Sequence, residues 1–199
     1  MVNVEGEFAD ENGSSRGISS PEDRALLLHL RKLSDVVLVS AKSAEAEHLS
    51  STSLSTLAIV LGAGPAGHIP AMAATKDRVL VFAPRNASHE PPLLQSDTSE
   101  LVPVANRVPD RISPSELVGA IDSLGFRFPL SEFGPGWLNQ LASEGVIDEL
   151  CLTVTKKSDQ SFDAQTPLVA IQGLLPGSRM SLSASYEVGD NLFTRWSPA

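Results

Sequence analysis

One cysteine, one tyrosine and two tryptophans among 199 residues leave this chain poor in the side chains on which several function classes depend. Cys151 alone cannot close an internal disulfide, so the fold has to be held by core packing. Its setting, Glu149-Leu150-Cys151-Leu152-Thr153-Val154, reads as a buried and inert thiol. The four histidines, His29, His48, His68 and His89, are scattered, with none four residues from another and no cysteine nearby, so no metal site is expected. Basic residues are also scarce: 15 Lys and Arg against 24 Asp and Glu give a formal net charge of -9. Without a clustered Lys/Arg stripe a general nucleic-acid surface is excluded, and any anionic ligand has to be held locally. No apolar run approaches the ~18 residues needed to span a bilayer. The start, Met1-Val2-Asn3-Val4-Glu5-Gly6-Glu7, lacks the basic and apolar blocks of a secretory signal, so a cytoplasmic protein with no membrane partner is expected.

What is present is the make-up of a globular protein, 42% hydrophobic and 20% charged, and the length suits a single domain over residues 1–199. Strand-like runs fall at residues 2–8, 35–39, 57–61, 78–82, 101–104, 126–130 and 150–154. Helical patterns stand at 114–124 and 137–144. Another helix opens on Ser20-Pro21-Glu22-Asp23, a capping serine with proline and acids behind it, and is expected to bury Ala25, Leu26, Leu28, Leu30 and Leu33. This alternation predicts an α/β fold with a mostly parallel central sheet and helices on both faces. Two further strands, 180–188 and 191–196, meet across Gly189-Asp190 and predict a C-terminal antiparallel hairpin on the sheet edge. The Pro-, Ser- and acid-rich stretch 86–100 reads as an exposed loop.

Two segments carry chemistry. Residues 126–138 run a strand into a carboxylate, Glu132, through Phe133-Gly134-Pro135-Gly136 and into a helix. Backbone N–H groups at a helix start and the positive end of its dipole suit an anion such as a pyrophosphate, and Glu132 can hold a neighbouring hydroxyl or amine. A plain strand-to-helix turn would read the same way. The second segment, Gly62-Ala63-Gly64-Pro65-Ala66-Gly67, matches the dinucleotide fingerprint directly after a strand. Pro70 interrupts the segment where the fingerprint's helix would run, and the next strand ends at Phe82-Ala83-Pro84-Arg85 without the expected acid. A Rossmann loop, a phosphate-facing loop of another α/β fold and a Gly-rich turn therefore stay open. Arg85 in the acid's place would suit a 2′-phosphate and NADP.

Taken in order, six strings resemble the reductase domain of bacterial riboflavin biosynthesis, a member of the dihydrofolate reductase-like superfamily. They are Asn3-Val4-Glu5-Gly6-Glu7-Phe8-Ala9, Ile18 to Arg24 with Leu30-Arg31, Ser34 to Val39, Glu132-Phe133-Gly134-Pro135, Gly145-Val146-Ile147-Asp148-Glu149-Leu150 and Leu192 to Trp196. Gly145 to Leu150 is similar almost residue for residue to the family's Gly-Leu-Val-Asp-Glu-Leu. The resemblance spans nearly the whole chain and starts part-way along the family's first strand. Phe133 takes the place of the first of two glycines before the proline, and the Asp-Pro-x-Leu and Arg by which the family reads substrate phosphate are not found after Glu47. Lys42 stands where a small residue is usual.

The resemblance implies hydride transfer from NADPH to the ring-opened ribosylamino group of a phosphorylated pyrimidine. Ser43, Glu47, Ala63, Gly134, Pro135, Gly136, Trp137 and Leu138 would face the cofactor, with Gly17 flanking the nicotinamide. Ser15, Arg31 and Glu132 would face substrate, Glu132 as the catalytic group. A homodimer is implied as well. A non-catalytic or substrate-shifted nucleotide binder on the same fold is the alternative.

Overall fold

Strands covered on both faces are apolar at nearly every position, because neither side of the pleat meets water. Val36-Val37-Leu38-Val39, Leu57-Ala58-Ile59-Val60 and Val79-Leu80-Val81-Phe82-Ala83 have this composition and are buried throughout. The computed structural model describes residues 2–3, 19–46, 56–61, 78–88, 99–156 and 160–199. The chain divides into two compact units, Leu28–Trp137 and Met1–Leu27 with Leu138–Ala199, and the divisions fall inside the helices α1 (Pro21–Leu33) and α4 (Pro135–Ser143).

In the first unit β2 (Val36–Ser40), β3 (Thr56–Val60), β4 (Val79–Pro84), β5 (Ser99–Val104) and β6 (Pro129–Ser131) form an all-parallel sheet in the order β5-β4-β3-β2-β6. Alternation along the strands divides their side chains between two clusters. Val36, Leu38, Ala58, Val60, Leu80 and Phe82 pack with Leu117 and Ile121 of α3 (Pro114–Ser123), and Val37, Val39, Leu57, Ile59, Val79 and Val81 pack with Ala44 of α2 (Ala41–Ala46). Both sheet faces therefore carry a helix, as the alternating pattern requires. A capping box fixes the start of α3: Ser113 Oγ accepts the Glu116 N–H, and Glu116 accepts the Ser113 N–H at 2.8 Å. That N–H is the main reason the Glu116 carboxyl titrates below its usual range.

Asp35, one residue before β2, settles where β6 attaches. Its carboxylate accepts the N–H groups of Arg127 at 2.6 Å and Phe128 at 3.1 Å, while its own N–H donates to the Phe128 carbonyl. Asp35→Ala is expected to cost about 1–3 kcal/mol, since two N–H groups lose a charged acceptor. Urea denaturation measures it, and an unchanged midpoint would mean that water replaces the carboxylate without loss.

In the second unit β1 (Val2–Asn3), β7 (Leu150–Thr155), β8 (Met180–Val188) and β9 (Asn191–Pro198) form a sheet in the order β1-β7-β9-β8, parallel only between β1 and β7. The C-terminal hairpin is present, turning at Gly189 (φ 58°), where a two-residue hairpin loop calls for a left-handed residue. The hairpin extends the sheet of β7 rather than that of the five parallel strands. Leu152, Val154, Leu192 and Trp196 bury one sheet face with Ile171 and Leu174 of α5 (Thr166–Leu174). Trp196 Nε1 donates to Thr194 Oγ1 at 2.9 Å, which in turn donates to the Leu152 carbonyl at 2.7 Å, so these two buried polar side chains are paired.

Three expectations need correction. Cys151 is exposed, because the period of two that sends Leu152 and Val154 into the core sends Cys151 to the opposite face. Burial around the sulfur, first, and the Glu149 carboxylate, second, nevertheless push its thiol above the usual range. Helix α1 has no fully buried residue, and Ala25, Leu28 and Leu33 are exposed. The half-buried stripe runs instead through Asp23, Leu26, Leu27, Leu30 and Arg31, at helical spacing. The strand expected at 126–130 is shifted to Pro129–Ser131 because Arg127 and Phe128 are held by Asp35. Of the opening strand only Val2–Asn3 is described, and most of the loop expected at 86–100 lies outside the described residues.

Candidate active site at the carboxyl ends of the parallel strands

Sheet order locates a crevice before any side chain is considered. The chain leaves β2 for β3, then β4, then β5 on one side, whereas β6 lies on the other side of β2. Connections leaving adjacent parallel strands in opposite directions open a gap at their carboxyl ends, the favoured ligand position in open α/β sheets. Here the switch falls between β2 and β6. Beyond β2 come Ser40 and α2, and beyond β6 come Glu132 and α4.

The register sets Ser131 beside Leu38, and the Glu132 N–H continues the ladder to the Leu38 carbonyl at 2.9 Å. Glu132 is thereby held at the lip of the crevice. Arg31, on the half-buried stripe of α1, meets it with both arms of the guanidinium: Nε to Oε1 at 2.6 Å and NH2 to Oε2 at 2.5 Å. The side chains are 19% and 15% exposed, so this pair is largely shielded from water and its geometry is the bidentate fork that makes such pairs strong. The two residues expected to face substrate separately are thus brought together. The carboxylate is oriented by the fork and keeps lone pairs for a donor on a ligand.

On the β2 side, Ser40 Oγ accepts the Ser43 N–H at 3.1 Å and lies 2.9 Å from Ser43 Oγ. Ser40 caps α2 and holds Ser43 beside it. The serine spacing, three apart at a strand end, is a capping signal that points to Ser40 as readily as to Ser43. Lys42 is exposed on the same helix.

At the start of α4, Pro135 has no N–H and the Trp137 N–H is bonded to the Gly134 carbonyl at 3.2 Å, so the dipole remains while two of the outward donors expected there do not. Phe133 and Trp137 stack with ring centroids 4.7 Å apart and pack against the α3 side of the parallel sheet. Phe133 is not strained: among the described residues Asp110 is the one non-glycine with positive φ. Among the described residues no atom would lie within 4 Å of a Cβ added at Gly134 or Gly136. Leu138 packs with Val2, Leu152 and Trp196, a core role for its side chain.

Ser15, Gly17, Glu47 and Ala63 lie outside the described residues, as does the whole Gly62 to Gly67 fingerprint. Topology bears on that fingerprint all the same. It follows β3, whose sheet neighbours β2 and β4 are the strands just before and just after it in the chain, so β3 does not stand at the switch point where a Rossmann loop lies. Among the described residues no cluster of His, Cys, Asp or Glu could hold a metal ion, and no helix is long and apolar enough to cross a membrane.

No family model and no curated protein sequence matches the chain. Solved structures do. A pyrimidine reductase-like protein from Corynebacterium diphtheriae is 17% identical with a TM-score of 0.64, covering 98% of this chain and 88% of that one. A diaminohydroxyphosphoribosylaminopyrimidine deaminase/5-amino-6-(5-phosphoribosylamino)uracil reductase from Thermotoga maritima is 14% identical with a TM-score of 0.68, and the chain spans 54% of its length while being covered 100% itself. A riboflavin biosynthesis reductase from Saccharomyces cerevisiae is 12% identical with a TM-score of 0.61, covering 90% of this chain and 82% of that one. These likenesses show that the chain has the fold of the riboflavin-biosynthesis pyrimidine reductases, within the dihydrofolate reductase-like class.

Proposed function

We propose that the chain is an NADPH-dependent reductase of the pyrimidine-reductase type, one functional domain over residues 1–199, that transfers hydride to the ring-opened ribosylamino group of a phosphorylated pyrimidine. The observation that carries this reading is the Arg31–Glu132 fork at the switch-point crevice, opposite the Ser40–Ser43 pair and beside a helix start with open space above it. The likeness in fold to a 5-amino-6-(5-phosphoribosylamino)uracil reductase supports the substrate class. NADPH is compatible with the residues present at this turn, since no described atom stands within 4 Å of a Cβ built at Gly134 or Gly136. When bound, it would supply the hydride. Ser43 and Gly134 to Trp137 would hold it, with Gly17, Glu47 and Ala63 as further contacts, and Leu138 would back the helix from the core.

Glu132 acts as the catalytic group by accepting a hydrogen bond from a substrate hydroxyl or amine, and Arg31 and Ser15 complete the substrate side. Hydride transfer depends chiefly on fixing donor and acceptor in register, which a carboxylate clamped in a fork does well. A cytoplasmic homodimer is the expected form. The second reading, a non-catalytic nucleotide binder of the same fold, is favoured by the reduced donor set at Pro135 and Trp137.

Thermal-shift titration with NADPH and, separately, NADH tests both. A ligand at about 100 times its Kd stabilises the native state by about 2.7 kcal/mol through mass action. NADPH is expected to raise the melting temperature at micromolar concentration and NADH to need far more. A shift accompanied by no turnover of the phosphoribosylaminopyrimidine selects the non-catalytic reading, and no shift with either nucleotide at millimolar concentration rejects both.

A further inference from the structure

The arginines of the Leu28–Trp137 unit divide by position. Arg31, Arg78 and Arg127 each hold a carboxylate, on Glu132, Glu100 and Asp122. Arg85, Arg107 and Arg111 are exposed and, among the described residues, have no carboxylate within ion-pair distance. Against 24 acidic residues and 15 basic ones in the whole chain, three such arginines on adjoining loops make a local positive patch. All three lie at the carboxyl end of the parallel sheet, Arg85 one residue beyond β4, Arg107 and Arg111 in the connection from β5 to α3.

The two connections are stitched together. The Arg85 N–H donates to the Val104 carbonyl at 2.8 Å, the Asn86 N–H to Asn106 Oδ1 at 2.9 Å and the Asp110 N–H to the Asn86 carbonyl at 3.3 Å. The Asp110 carboxylate accepts both the N–H and the hydroxyl of Ser88, with its own backbone at φ 60°, a conformation that persists where its surroundings impose it. Glu116 accepts the N–H groups of Arg107 and Ser113. The acids of this region are thus taken up by backbone and hydroxyl donors, and the guanidiniums are left for another anion. Neighbouring strands lie about 4.8 Å apart, so β4 ends about 10 Å from the β2 side of the crevice. That distance suits the far end of an elongated ligand whose reacting end lies in the crevice.

We infer that these two connections form a subsite for a phosphate monoester, held by Arg85, Arg107 and Arg111. A guanidinium fork matches phosphate oxygens in pairs, and a neutral ribose hydroxyl gains no such charge-assisted bonds. The inference deepens the reductase reading and rests on it. Two ligands of that reading carry the required group: NADPH at its 2′-phosphate, which NADH lacks, and the pyrimidine substrate at its ribose phosphate.

Affinities of the full chain for NADPH, NADH and the phosphoribosylaminopyrimidine, each measured by calorimetry, test it and tell the two sources apart. The triple variant Arg85→Gln, Arg107→Gln, Arg111→Gln is expected to raise the Kd of NADPH by about 100-fold, leave that of NADH unchanged and keep the melting temperature, while Arg85→Gln alone raises it about tenfold. Arg78→Gln, which removes one exposed arginine at the opposite end of the sheet, is expected to leave all three affinities as they are. If the phosphoribosylaminopyrimidine loses affinity and the preference for NADPH over NADH persists, the subsite stands and holds the substrate phosphate. Equal losses for NADPH and NADH, a comparable loss in Arg78→Gln, or three unchanged affinities in the triple variant would each overturn the inference and leave the reductase reading intact. A wild-type protein that binds none of the three ligands would overturn both.

Discussion

Glu132→Gln is expected to lower reductase turnover about 10- to 100-fold, the worth of a charge-assisted hydrogen bond to substrate, while costing the fold about 1–3 kcal/mol. Two losses are combined. Gln keeps the shape of Glu but carries one acceptor oxygen and an amide in place of two carboxylate oxygens, so one arm of the Arg31 fork faces N–H against N–H. The guanidinium is 19% exposed and has little water to replace what it loses. On the proposed reading the substrate would also lose the charged acceptor for its hydroxyl or amine. Arg31→Lys divides these effects: the charge survives and the planar fork does not, so turnover is expected to fall through misorientation of Glu132 with a smaller stability change. Steady-state kinetics beside urea denaturation reads the two quantities separately. Unchanged turnover in Glu132→Gln, with stability reduced, would make the pair a structural clasp and move the substrate elsewhere.

Gly134→Leu is expected to weaken NADPH binding about tenfold to hundredfold while leaving the folded protein as stable as before. The open space above the turn is the reason for both halves. Among the described residues no atom lies within 4 Å of a Cβ at this position, and Gly134 is not among the glycines held at positive φ, so a side chain is expected to be accepted there. Replacing glycine in a permissive conformation also reduces the freedom of the unfolded chain, which raises stability by about 0.4–1 kcal/mol in favourable cases. A dinucleotide lying over the turn would meet the new side chain, and overpacking of this kind costs about 1–3 kcal/mol. Affinity lost with the melting temperature preserved is a combination that general damage to the fold does not produce. Affinity retained in Gly134→Leu would mean that the nucleotide does not pass over this turn.

Much of the secondary structure was legible because burial writes itself into local pattern. The unbroken apolar runs of β2, β3 and β4 announced strands, the helical pattern at 114–124 announced α3, and Gly189-Asp190 between two strand-like runs announced the hairpin. Glu132 was legible as the carboxylate that ends an apolar strand, and Arg31 only through the resemblance. Cys151 misled because an apolar stretch looks uniform until one knows which face of β7 meets the core. On α1 a leucine-rich sequence offers several overlapping stripes, and the one realised was the stripe that includes Arg31.

By itself, then, the sequence determined most of the elements and the residue types available at each strand end, because periodicity and capping act over a few neighbouring residues, whereas the helices α2 and α5 were not anticipated. Strand order was decided only in the folded chain: β2, β3 and β4 are near-equivalent apolar runs, and nothing in their composition says that β6 pairs with β2 and so opens the crevice between them. The fork between Arg31 and Glu132, 101 residues apart, and the hold of the Asp35 carboxylate on the Arg127 and Phe128 N–H groups depend on the same tertiary pairing. Such contacts are non-local, and their partners are selected by the geometry that the packed sheet imposes.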